Sequence, residues 1–130
     1  MKVCKAIIDD LNEIIDIYHI AVNHMFMENN TNQWSKDNTK FVRLVKKHID
    51  NNEFFVVKND DEIVGFFAMI EGIDVTYNNI DGKWLNNDPY ITIHKIASKY
   101  YQKGIASFML NYVIDYAKLN NIYKIGRAHV

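Results

Sequence analysis

The chain has 130 residues, a formal net charge of −1 and 48% hydrophobic residues. That is enough for one domain with a real core, too little for two, and it excludes a disordered chain or a general nucleic-acid partner. The lone cysteine, Cys4, excludes an internal disulfide and a cysteine-based metal site.

His19, His24, His48 and His94 have no helical i, i+3 or i, i+4 pairing, so no zinc site is expected, and none of any other metal. No apolar run approaches membrane-spanning length, and the N-terminus lacks the apolar core of a signal peptide. A cytoplasmic protein without a membrane partner is expected. Its oligomeric state is not encoded in any pattern.

In chain order, Val3–Ile7 reads as a short first strand. Asp9 or Asp10 can cap the next helix, and Asp10 with Glu13 approximates a capping box. Leu11, Ile14, Ile15, Tyr18, Val22, Met25 and Phe26 form its apolar stripe, with His19 and His24 at the edge on a solvated face. A polar turn follows, ENNTNQWSKD, in which Trp34 is the large apolar residue and folds back on the core or onto a ligand.

Asp37 or Asn38 starts a second helix running to about Asn51, with Phe41, Leu44, Val45, His48 and Ile49 as its stripe. Glu53–Lys58 and Glu62–Glu71 read as a hairpin turning at Asn59-Asp60-Asp61. Residues 77–84 are either a hairpin extension or a loop.

The segment Pro89–Lys118 holds the chemistry. Tyr90, Thr92, His94 and Ile96 alternate with Ile91, Ile93, Lys95 and Ala97, which predicts a strand opened by the single proline of the chain. From Ile105 the period changes. Ile105, Phe108, Met109, Tyr112 and Tyr116 recur at three and four residues, the spacing of an amphipathic helix.

At the join, Gln102-Lys103-Gly104-Ile105-Ala106-Ser107 puts small residues at a helix start, where backbone N–H groups lack internal partners and the helix dipole is positive. A phosphate can reach such amides, and Lys103 can add a point charge. A tight strand–helix turn that binds nothing has the same spacing.

The order IHKIAS, QKGIASFML, YVIDYAK resembles the core of the GCN5-related N-acetyltransferase (GNAT) superfamily, where a Q/R-x-x-G-x-G/A turn binds the pyrophosphate of acetyl-CoA. Gly104 and Ala106 match its last two defined positions, whereas Tyr101 falls on the first, with Gln102 one residue late. The likeness extends more loosely over Val3–Lys124, including the strand EIVGFFAMIE.

That resemblance implies an α/β (or α+β) fold with a mixed, mostly antiparallel sheet flanked by helices. It also implies acetyl-CoA as co-substrate, without a metal. The cofactor-binding residues it implies are Ile96, Ala97 and Ser98 on the strand and Gln102, Lys103, Gly104, Ile105, Ala106 and Ser107 at the turn. Met25, Phe26, Trp34 and Tyr90 are its substrate-binding candidates.

In such enzymes a primary amine of a small molecule or peptide attacks the thioester. A base must first take a proton from the ammonium, and N–H donors must meet the oxyanion. For the base, His94 has a suitable ordinary pKa and Glu71 is the second candidate; the alternatives are a core histidine for the first and a solvated strand end for the second.

Ile122-Tyr123-Lys124 opens a further strand, and the family's last helix, which often carries a tyrosine acid, and its final strands are missing. Sixteen Asn and eighteen Ile against two Arg suit an AT-rich gene, but Ile125–Val130 (IGRAHV) resembles the in-frame translation of a common sequencing adapter. Residues 1–124 are thus expected to be one incomplete domain and 125–130 a non-native tail. A non-catalytic acyl-CoA-binding or interaction domain is the alternative to a transferase.

Overall fold

Two pairs of buried aromatics, Phe54-Phe55 and Phe66-Phe67, face each other across the centre of a five-stranded sheet. The computed structural model describes residues 1–27, 37–72, 89–99 and 104–127. Its strands are β1 (Lys2–Lys5), β2 (Phe54–Asn59), β3 (Glu62–Gly72), β4 (Tyr90–Ser98) and β5 (Lys124–Arg127), in that spatial order. The first four pair antiparallel and β5 runs parallel to β4. This is the mixed, mostly antiparallel sheet that the family resemblance implies. Among the described residues no helix is long and apolar enough to cross a membrane.

Among the described residues three α-helices cover the sheet: α1 (Leu11–Met27), α2 (Thr39–Asp50) and α3 (Ile105–Leu119). Successive strand residues point to opposite faces, so the aromatic pairs divide. Phe54 and Phe66 join Ile14, Tyr18, Phe41 and Val45 under α1 and α2. Phe55 and Phe67 join Ile105, Met109, Val113 and Ala117 under α3. Each face is thereby dry, and α1 and α3 both reach β4.

Local chemistry explains the element ends. Asp37 accepts hydrogen bonds from the Thr39 amide at 3.0 Å and the Thr39 hydroxyl at 2.7 Å, which fixes the entry to α2. Those two bonds hold the Asp37 carboxyl below its ordinary pKa. Asp60 takes a left-handed φ of 57° in the turn between β2 and β3, where Asn59 pairs with Glu62. Before α1, a 3-10 turn at Ile8–Asp10 is closed by the Ile7 amide donating to Asp10 at 3.0 Å. Glu13 does not complete a capping box. Its carboxylate accepts from the Ile63 amide at 3.3 Å and ties α1 to β3.

Several expectations are corrected. The first strand ends at Lys5 rather than Ile7. The buried line of α3 is Ile105, Met109, Val113 and Ala117, with Phe108, Tyr112 and Tyr116 flanking it half-buried. His19 is not on a solvated face but half-buried, its Nε2 3.2 Å from the Asn38 amide nitrogen. The last strand starts at Lys124 rather than Ile122, and Ile125, Gly126 and Arg127 pair with Ile91, Thr92 and Ile93.

Candidate active site

β4 does not alternate along its whole length. Phe66 pairs with Ala97 but Ala68 with His94, so β4 carries one residue more than β3 across that interval. The extra residue is accommodated at Lys95, whose φ of 51° is left-handed, and the result is a β-bulge. The face assignments beyond His94 are therefore exchanged relative to the predicted alternation. Ile96 joins Ile91 and Ile93 under α3, while Ala97 packs with the α1 and α2 side.

The same strand has an open edge. β5 pairs with β4 only from Tyr90 to Ile93, and no described strand lies on that edge from His94 to Ser98. The Lys99 amide donates to the Val64 carbonyl at 2.7 Å, so the alternation of a strand turns the amides of Ile96 and Ser98 to the open edge.

The start of α3 lies past the end of this strand. Gly104 is its N-cap, with φ 129° and ψ −34°, a region that only glycine enters without strain. A Cβ there would meet nothing within 4 Å, so it is the backbone conformation, not crowding, that requires glycine. Among the described residues no side chain caps this end, and Ala106 and Ser107 are exposed. The first hydrogen bond of the helix is Phe108 N–H to Gly104 C=O at 2.8 Å. The amides of Ile105, Ala106 and Ser107 precede it and have no partner within the helix. Gln102 and Lys103 lie outside the described residues.

α3 is seated by Gly65 of β3. A Cβ at that position would come within 3.1 Å of the Ala97 carbonyl, 3.2 Å of Ile105 Cγ2 and 3.3 Å of Met109 Sδ. Absence of a side chain at Gly65 therefore lets the first turn of α3 lie directly on the sheet beside the bulge.

The two candidate bases fall on opposite faces. His94 is half-buried on the α1 and α2 side, one residue before the bulge. Burial first, and then the nearby positive charges of His48 and Lys95, hold its imidazole below the ordinary histidine pKa, with Glu53 opposing. Lys95 is itself pushed below the usual lysine value by burial and by Lys40. Glu71 lies on the α3 side, where it accepts the Tyr116 hydroxyl at 3.0 Å. Burial and that hydrogen bond push the Tyr116 phenol up. Glu71 pairs with Ile91, four positions before Lys95 and thus roughly 13 Å along the strand from the bulge.

Of the substrate-binding candidates, Tyr90 lies across β5. A Cβ on Gly126 would overlap its hydroxyl, so Gly126 makes room for the ring. Trp34 lies outside the described residues, as do residues 77–84, and Met25 and Phe26 are placed only as part of the last turns of α1.

Two residues that sequence reasoning passed over stand beside His94. His48 Nδ1 is 3.1 Å from Glu53 Oε2, and the His48 and His94 rings stack at 6.3 Å. Nothing in the local spacing signals this, because the contact joins a helix to a strand 46 positions away. No group of three or more metal-ligating side chains occurs among the described residues.

The acetyltransferase (GNAT) family profile matches residues 16–130. Among solved structures, an acetyltransferase of the GNAT family from Streptococcus agalactiae 2603 is 23% identical, with a TM-score of 0.70 over 88% of this chain and 68% of that one. A candidate acetyltransferase from Staphylococcus aureus Mu50 is 22% identical, with a TM-score of 0.73 over 96% and 77% of the respective chains. A predicted acetyltransferase with acetyl-CoA from Clostridium acetobutylicum is 18% identical, with a TM-score of 0.63 over 98% and 80%. At these identities the likeness is one of fold. No curated protein matches the sequence.

Proposed function

The chain belongs to the acetyltransferase (GNAT) family, and from that premise we propose that it is an N-acetyltransferase moving the acetyl group of acetyl-CoA to a primary amine of a small molecule or peptide. One observation carries this reading: an uncapped helix start with small exposed residues, set by Gly65 beside the bulged, open-edged half of β4.

The residues fit the coenzyme. The first-turn amides of Ile105, Ala106 and Ser107 would hold its diphosphate, with Gly104 leaving the approach clear and Gln102 and Lys103 completing the turn. Main-chain groups of Ile96 and Ser98 would align the pantetheine arm along the open edge, with Ala97 between them turned to β3. Acetyl-CoA, when bound, supplies an activated acetyl group.

His94 is the base in this reading. An alkyl ammonium must lose a proton before it can attack, and a half-buried imidazole held below its ordinary pKa is in its neutral, proton-accepting form at neutral pH. Glu71 is less well placed, being on the other face and bonded to Tyr116. Tyr90, Met25, Phe26 and Trp34 would border the amine.

Isothermal titration with CoA, desulfo-CoA and acetyl-CoA, followed by thiol release with a panel of primary amines, tests the proposal. Binding together with amine-dependent release is expected. Binding without release under any amine would instead support a non-catalytic acyl-CoA-binding domain, and no binding at all would remove both.

A further inference from the structure

Ala68 leaves a gap in a row of larger side chains. In the sheet register it pairs with Phe54 on one side and His94 on the other, so all three side chains point to the α1 and α2 face. Across that gap the His48 ring from α2 sits 6.4 Å from Phe54, nearly parallel at 13°, and 6.3 Å from His94 at 26°. Its Nδ1 is taken by Glu53, which precedes β2, at 3.1 Å. The His48 side chain is only 13% exposed, so it is a wedge in the sheet's furrow rather than a surface group.

We propose that His48 and Glu53 are positioning residues for His94: Glu53 anchors the His48 ring, and that ring, wedged over Ala68 between Phe54 and His94, fixes the His94 imidazole beside the bulge and shields it from water. The proposal rests on the reading of His94 as the base.

The physics favours such a support. A histidine on a strand keeps two rotatable side-chain bonds, and a flat neighbour that stacks on it removes most of that freedom. Burial by the wedge disfavours the imidazolium, and positive charge on His48 does so again. The charged or titratable groups facing His94 are His48 from α2, Glu53 from the turn before β2 and Lys95 on β4 itself, with Lys40 of α2 behind Lys95. His48 and Lys95 oppose a proton on His94, and Glu53 favours it.

Removing the wedge therefore acts in one direction. In His48→Ala, water reaches His94 and the repulsion disappears, so the His94 titration midpoint, followed by NMR on the full chain, is expected to rise by about half a pH unit or more. His48→Phe keeps the ring and its burial, so the midpoint is expected to rise by less, and this variant carries the test if the alanine protein does not fold. Glu53→Gln removes the one group favouring the imidazolium and is expected to lower the midpoint.

A His94 midpoint that stays in place in all the folded variants overturns the proposal. The base assignment is separately exposed: a His94→Ala protein that retains the acid limb of its pH–rate profile removes His94 from the chemistry, whatever the NMR titrations show.

Discussion

Gly65→Ala is the most direct test of how the sheet seats the helix that starts the proposed coenzyme site. In a strand, alanine in place of glycine stabilises by about 0.5–1 kcal/mol through backbone entropy alone. Against this, the new methyl would stand 3.1 Å from a carbonyl oxygen, 3.2 Å from Ile105 and 3.3 Å from Met109. Met109 can swing away, but the Ala97 carbonyl belongs to the bulged strand and cannot retreat without moving it. Overpacking of this kind costs roughly 1–3 kcal/mol, so a net loss of about 1 kcal/mol is expected. With an m-value of about 1.3 kcal/mol/M for urea, the unfolding midpoint should fall by roughly 0.8 M. Because relief lifts the first turn of α3 from the sheet, affinity for CoA by calorimetry should fall several-fold as well. An alanine variant as stable as the parent, with unchanged CoA affinity, refutes the claim that this glycine seats the helix.

Other outcomes follow from the same geometry. Gly104→Val puts a β-branched residue at φ 129° and is expected to destabilise by about 1–3 kcal/mol and weaken CoA binding, measured by urea unfolding and calorimetry. Lys95→Gly relieves a left-handed residue and is expected to stabilise by about 1 kcal/mol, whereas Lys95→Val destabilises, both read from urea midpoints. The lowered pKa of His94 means that between its folded value and its ordinary 6.5 the unfolded chain binds more protons. Stability should fall as pH falls through that window, and His94→Gln should lose less over a urea series from about pH 8 to about pH 5. Glu71→Gln is expected to leave the acid limb of the pH–rate profile unchanged, since Glu71 lies on the other face.

Much of the fold was legible because local signals and burial agreed. The β2–β3 turn is written in Asn59-Asp60-Asp61, and the change from period two to period 3.6 after Gly104 marks a strand giving way to a helix. The line of α3 was read too far toward its aromatics, since Tyr112 and Tyr116 are large but half-exposed, whereas Val113 and Ala117 fill the dry contact. The family motif pointed to Gly104 and Ala106. It said nothing of Gly65, which the motif's geometry needs. His48 and Glu53 were invisible as neighbours of His94, because only the pairing of Phe54, Ala68 and His94 across three strands brings that imidazole beside them. A lysine in the left-handed region carries no sequence flag of the kind that Gly or Asn would, so the bulge was missed.

That bulge is the step that makes one strand serve two faces. In a strictly alternating strand, Ile96 would lie with His94 among the side chains under α2, and Ala97 would face α3. The apolar support beside Ile105 and Met109 would then be a methyl group, and an isoleucine would crowd the furrow that His48 occupies. The extra residue at Lys95 exchanges these positions. Ile96 now backs the helix whose first amides are uncapped, and Ala97 leaves space on the side of the imidazole. Under the proposed transferase reading, an acyl donor along the open edge and an amine from the α1 and α2 side would meet at the bulge, each addressed by side chains the other does not touch.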